Sequence, residues 1–250
     1  TIAAISSSND PSSYSGFGPF VPGYNVIPYN DLVALENAMQ DNNVCAFMFE
    51  PIQGEAGVVV PDEGYISKAK ALCEKYNLKL IEDAACAAGS SYKGNKIGSH
   101  SDLVCFSFHP RKVITTGDGG MIATNNEAYY NRLKLLRQHG MSVNDRVRHN
   151  STTIIIEDHL EVGYNYRLTD IQAAVGIKQL EKLDWIVEER RKIAERYQAV
   201  FKDFDFIRLP VEPKDYVTNW QSYVLYLKPN SPIKRNDLMQ SLLDCGISTR

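Results

Sequence analysis

The sequence has no CxxC pair, no long apolar run and no surplus of positive charge. Its five cysteines, Cys45, Cys73, Cys86, Cys105 and Cys245, are odd in number and widely scattered. That argues against a disulfide framework or a zinc site and favours a reducing compartment, read here as the cytoplasm. No stretch approaches the roughly 18 apolar residues that span a bilayer. The opening TIAAISSSNDPSSYSG lacks the basic and apolar regions of a signal peptide. A net charge of -3 gives no electrostatic case for nucleic acid or an anionic membrane. HNSTTIIIEDH lacks compact ligand spacing, so no metal is expected.

What is present is the composition of a globular protein, 44% hydrophobic and 23% charged over 250 residues, enough for a sizeable core. The first 31 residues, rich in Ser, Pro, Gly and aromatics, predict a long ordered loop. Alternation follows. DLVALENAMQD predicts a helix with Asp31 as N-cap, VCAFMFEPI a strand, EGYISKAKALCEKYN a helix and LKLIEDAA the next strand. DLVCFSFH and GGMIATN read as two more strands, and NEAYYNRLKLLRQHG as a helix stopped by Gly140. From Thr169 one long helical stretch is expected, with apolar residues at Ile171, Val175, Leu180, Leu183, Ile186 and Ile193 and a solvated EERRK face. Beyond Pro210, NWQSYVLYL alternates like a strand and RNDLMQSLLDCG like a helix.

This order predicts an α/β fold, a three-layer αβα sandwich around a mostly parallel sheet over residues 1–203, with 204–250 beginning a small α+β domain. Ligands of such sheets bind at the carboxyl ends of the strands, where Glu50, Asp83 and the segment from Ser107 to Lys112 fall.

In CFSFHPRKVITTGDGGMI, Lys112 follows a short aromatic strand and precedes small residues. A carbonyl-reactive lysine needs an electron sink. Pyridoxal phosphate is one, and it demands a Schiff-base lysine, a carboxylate for the pyridine nitrogen and phosphate donors. Lys112, Asp83 and Ser107 are of these types, and Gly117, Gly119 and Gly120 permit close backbone approach. Each has a plainer reading that the residues alone leave open: a solvated charge, a helix cap, a core hydroxyl, a turn.

LIEDAACAAGSSYKGNKIGSHSDLVCFSFHPRKVITTGDGGMIATN and VGYNYRLTDIQAAVGIKQLEKLD resemble the DegT/DnrJ/EryC1/StrS family of sugar aminotransferases, from about residue 75 to 250. The resemblance implies the fold-type I architecture of pyridoxal-phosphate enzymes. It makes Lys112 the Schiff-base and acid/base lysine, Asp83 the partner of the pyridine nitrogen and Ser107 a phosphate ligand. Asn165, in GYNYR, matches an asparagine that reaches the phosphate of the neighbouring subunit, which implies a homodimer. After EDAA the family most often carries Gln or His; this chain has Cys86.

The first 82 residues are similar instead to ornithine aminotransferases, a class III family, through TIAAISSSNDPSSYSGFGPFVPGYNVIPYNDLVALENAMQ and AFMFEPIQGEAGVVVPDEGYISKAKALC. There the EPIQGE acids line the substrate side, so Glu50 and Glu55 are the matching candidates; Glu55 could equally be an exposed turn residue. The sequence reads as a fusion of two homologous folds joined near 75–85. Both ends read as cut, with the phosphate-binding turn and ring-stacking aromatic expected before Thr1. The implied activity is amino transfer between a small-molecule donor, glutamate, and a keto-sugar nucleotide. Ornithine δ-transamination, or a non-catalytic chimera or fragment that keeps only the fold, are the alternatives.

Overall fold

The computed structural model describes residues 2–143 and 145–249. They form two compact units. One runs to Asp83 and takes in Ser101–Val104; the other comprises Ala84–His100 and the residues from Cys105 onward.

In the first unit, α1 (Ile2–Ser6) and α2 (Pro11–Tyr14) occupy the segment whose composition predicts only loop. The carboxylate of Asp10 accepts the Ser12 amide and Pro11 presets φ, which suffices for the single turn of α2. α3 (Leu32–Met39) starts at Asp31, whose carboxylate accepts the amides of Val33 and Ala34 at 3.0 and 2.9 Å. β1 (Ala46–Phe49), α4 (Tyr65–Lys75) and β2 (Lys79–Asp83) follow, and β1 pairs in parallel with β2, Ala46 opposite Lys79. Leu35 and Met39 of α3, Ala69 and Cys73 of α4, Phe49 and Leu80 make one core. The i, i+4 spacing puts each helical pair on a single face, and burying each large side chain contributes about 1.5–3 kcal/mol.

The second unit holds β3 (Ser91–Tyr92), β4 (Asn95–Lys96), most of β5 (Leu103–Ser107), β6 (Gly120–Ala123), α5 (Glu127–Leu136) and α6 (Asp145–His149). It continues through α7 (Asp170–Leu180), α8 (Leu183–Phe201), β7 (Ile207–Arg208), β8 (Tyr216–Val217), β9 (Tyr226–Leu227) and α9 (Arg235–Asp244). Strand neighbours run β1-β2-β5 in the first unit and β5-β6 in the second, an α/β arrangement with a mixed, mostly parallel sheet. Short sheets β4-β3-β8 and β7-β9 add to the second unit.

Two further expectations need correction. The long helical stretch is two helices, α7 and α8, separated at Glu181 and Lys182. Leu183, Ile186 and Val187 of α8 pack on Phe108, Val113 and Ile114, whereas Ile171 and Val175 of α7 are exposed. The expected strand NWQSYVLYL is paired only at Tyr226–Leu227. Trp220 takes φ 49°, left-handed backbone that cannot continue a strand.

Candidate active site

Val113 and Ile114, 6% and 2% exposed, anchor the loop after β5 against α8 and leave the preceding Lys112 half-buried. The loop closes on its own backbone. Phe108 donates its amide to Gly119 O at 2.8 Å, and its carbonyl accepts the Thr116 amide and the Thr115 hydroxyl at 3.1 and 2.9 Å. From α7, Gln179 accepts the Thr115 amide and Gln172 donates to Asp118 O. Gly119 has φ 156°, and a Cβ there would collide with Thr116 Oγ1, so this close approach requires glycine.

Ser107 and Lys112 are tied through His109: the His109 amide donates to Ser107 Oγ at 3.3 Å, and the Lys112 amide donates to His109 O at 2.9 Å. Ser107 thus ends β5 with its own hydroxyl hydrogen available to a ligand acceptor. Nζ of Lys112 donates to Sγ of Cys86 at 3.0 Å, and no carboxylate among the described residues pairs with it. An amine not engaged by an acid and a hydroxyl with a proton to give are two of the groups that would hold a phosphorylated aldehyde.

Asn165 is exposed on a segment bound to the end of α5. The amides of Tyr164 and Tyr166 donate to Leu136 O and Arg137 O at 2.6 and 2.9 Å, and the His139 amide donates to Tyr164 O at 2.9 Å. Gly140 and Gly163 make this possible, since a Cβ on Gly140 would strike Glu161 O and one on Gly163 would strike the Gly140 amide.

The remaining candidates lie in the first unit. Asp83 is the last residue of β2 and half-buried; Glu82, 7% exposed, accepts the Ser101 hydroxyl at 3.0 Å. Glu50 directly follows β1, and its Oε1 accepts the Gly54 amide at 3.0 Å. Its carbonyl accepts the hydroxyl of Tyr29, whose pKa burial pushes up to about 12. Glu55 is exposed in the turn closed where Gln53 and Val59 exchange both main-chain hydrogen bonds. Glu50, Asp83 and Ser107 each stand at the carboxyl end of a strand. Lys112, Ser107 and Asn165 share one unit; Glu50, Glu55 and Asp83 share the other.

In the sequence Cys86 stands out only as a departure from Gln or His, not as the residue meeting Lys112. Nor does the sequence announce Asn219 and Gln221, whose side-chain amides donate to the carbonyls of Cys86 and Arg111. Their alternating polar spacing imitates the solvent face of a strand, and nothing else in the sequence distinguishes them. Among the described residues no group of three or more His, Cys, Asp or Glu could hold a metal ion, and no helix is long and apolar enough to cross a membrane.

A profile of the DegT/DnrJ/EryC1/StrS aminotransferase family matches residues 62–250. UDP-4-amino-4,6-dideoxy-N-acetyl-beta-L-altrosamine transaminase of Campylobacter jejuni is 41% identical over 180 residues, 72% of this chain and 46% of that protein. The mitochondrial ornithine aminotransferase of Drosophila melanogaster is 61% identical over 83 residues, 33% of this chain and 19% of that protein. Among solved structures, Helicobacter pylori PseC, an aminotransferase involved in the biosynthesis of pseudoaminic acid, superposes with a TM-score of 0.70 at 26% identity, covering 91% of this chain and 58% of its own. A DegT DnrJ EryC1 StrS aminotransferase from Brucella abortus gives 0.66 at 26% identity, covering 86% and 52%. The fold is therefore that of these aminotransferases, and the chain spans about half the length of the sugar-transaminase relatives it matches. By the extent of the profile, which matches well over half of its residues, this chain belongs to the DegT/DnrJ/EryC1/StrS aminotransferase family.

Proposed function

We propose that the protein is a pyridoxal-phosphate-dependent aminotransferase that moves an amino group from glutamate to a keto-sugar nucleotide. The observation that carries this is Lys112, held in the loop after β5 with a thiol rather than a carboxylate against its amine. Family membership and the 41% identity to a UDP-amino-sugar transaminase support the sugar-nucleotide acceptor. The bound cofactor supplies the electron sink for amino transfer. Lys112 would hold the cofactor through its carbonyl carbon, with loss of water, and, once displaced by the donor's amine, would carry the proton taken from the substrate α-carbon. Asp83 would keep a proton on the ring nitrogen, and Ser107 would donate to the phosphate.

The second phosphate donor would be Asn165 of a second copy. Ile154, Ile156, Val162 and Ile171 are 93, 89, 86 and 80% exposed in the region around Asn165 in sequence, a display of apolar surface that a homodimer would cover. Borohydride reduction in the presence of pyridoxal phosphate should fix the cofactor on the peptide containing Lys112. Labelling at Lys93 or Lys96 instead would remove the assignment.

A second reading has its own support: the 61% identity to ornithine aminotransferase over a third of the chain favours a fused origin with a join near 75–85, and with it δ-transamination using Glu50 and Glu55 on the substrate side. Conversion of the cofactor to its amine form by ornithine but not glutamate would select that reading. No colour change with pyridoxal phosphate at all would select a non-catalytic fusion.

A further inference from the structure

Lys112 and Cys86 come from separate loops of the second unit, and one short segment grips both. Asn219 is 2% exposed; its Nδ2 donates to Cys86 O and Ala88 O, each at 2.8 Å, and its Oδ1 accepts the Gln221 amide at 2.9 Å. Two residues on, Gln221 Nε2 donates to Arg111 O at 2.7 Å. Arg111 O belongs to the peptide group that supplies the Lys112 amide, and that amide is itself bonded to His109 O. Cys86 O belongs to the peptide group whose amide, on Ala87, is bonded to Ala84 O at 2.9 Å. Each of the two side chains that meet at 3.0 Å therefore adjoins a peptide plane held at both edges, and one edge of each is held from residues 219–221.

The segment is built for this. Trp220 adopts left-handed backbone, φ 49°, which a residue with a Cβ takes only when its surroundings impose it, and the turn sends Asn219 and Gln221 to different loops. Arg190 Nη1 donates to Trp220 O at 3.0 Å, and Arg191 Nη1 to Thr218 O at 3.3 Å, so α8 fixes the turn in place.

We infer that Asn219 and Gln221 are positioning residues for Lys112: they set the distance between its amine and the Cys86 thiol, and so the place where the amine meets a carbonyl. The inference deepens the aminotransferase reading and uses the same site, but its test does not need the cofactor. o-Phthalaldehyde condenses with an adjacent amine and thiol to a fluorescent isoindole, forming one C–N–C ring and one C–S bond and releasing two waters. In the unmodified chain it should link Lys112 to Cys86, found by peptide mass spectrometry and abolished by Cys86→Ser.

Asn219→Ser and Gln221→Met should slow that linkage about tenfold, measured well below the melting temperature of each variant, and slow Schiff-base formation with pyridoxal phosphate in parallel. Gln221 is only half-buried, so Gln221→Met decides the matter if Asn219→Ser does not fold. Linkage at the unaltered rate in folded variants, with only the melting temperature lowered, overturns the inference. A slowed linkage with no Schiff base in any version, the unmodified chain included, leaves the positioning intact and sinks the aminotransferase reading instead.

Discussion

Arg191 and Glu212 meet through two parallel hydrogen bonds, Nη1 to Oε1 at 2.7 Å and Nη2 to Oε2 at 2.9 Å. The side chains are 27% and 22% exposed, and Glu212 Oε1 also accepts the Thr218 amide at 2.6 Å. The pair ties α8 to Glu212 and, through the Thr218 amide, to the residue just before Asn219, whose side chain binds Cys86 O. Geometry of this kind separates it from exposed pairs such as Lys178 with Glu181, which contribute little.

Glu212→Gln should therefore destabilise the chain by about 1.5–3 kcal/mol, as loss of a charge-assisted bidentate contact implies. The Arg191 hydrogen bond holds the Glu212 carboxyl below its usual 4.5. A depressed folded value means the contribution is fully present above about pH 4.5 and is lost as pH falls through the lower folded value. Melting temperatures of the two proteins should differ at neutral pH and converge in acid; a constant gap across that window would show that ionisation of Glu212 is irrelevant.

Thiol reactivity should sort by burial. Cys73 is 2% exposed in the first core, and burial, with the Asp102 charge adding to it, pushes its thiol up to about 11. Cys45, Cys86 and Cys245 are exposed. With a disulfide-exchange reagent at about pH 8 these three should react quickly and Cys73 only after denaturation. Fast native labelling of Cys73 would mean that α4 does not pack on β1 and β2 as described.

The glycines beside Asn165 admit a sharper test. Gly140→Ala would drive a methyl into Glu161 O and also force a side chain into φ 70°; Gly163→Ala would drive one into the Gly140 amide. Because both obstacles are backbone, relaxation is costly, and each change should destabilise by about 3 kcal/mol, the upper end for overpacking. Hydrogen exchange should show the loss first at the amides of Tyr164 and Tyr166. Neutral substitutions would mean that the backbones do not cross so closely.

The strands β1, β2, β5 and β6 were legible because each is a short apolar run bounded by turn residues, and α3 because Asp31 announces its start. The break between α7 and α8 was not, since Leu180 and Leu183 keep helical spacing across it. The segment from Asn219 to Leu227 shows the deeper limit. Alternation of polar and apolar residues describes a strand, but here the polar members point to loop carbonyls rather than water, which no local pattern encodes. Lys112, Ser107, Asp83 and Glu50 stand out in the sequence by residue type and by position near strand ends, whereas Asn165 stands out only through the resemblance of GYNYR to the family. The contact of Lys112 with Cys86 joins residues far apart in sequence, and only the fold reveals it.

Adjacent acids at the end of β2 should separate structure from chemistry. Side chains alternate across a strand, so Glu82 shares the buried face with Leu80 while Asp83 falls on the half-buried face with Ile81. Glu82 accepts the Ser101 hydroxyl, and Glu82→Gln should lower stability by about 1–2 kcal/mol while leaving cofactor chemistry to whatever fraction stays folded. Asp83→Asn should do the reverse. An amide cannot hold the ring nitrogen protonated as a carboxylate does, and losing roughly 4 kcal/mol of charge stabilisation in the transition state corresponds to about a thousandfold in rate. The measurement is the single-turnover rate of amino transfer with pyridoxal phosphate supplied, taken beside the melting temperature. An Asp83→Asn protein that reacts at the unaltered rate would show that Asp83 only ends the strand, and the assignment of the pyridine-nitrogen partner would have to move elsewhere.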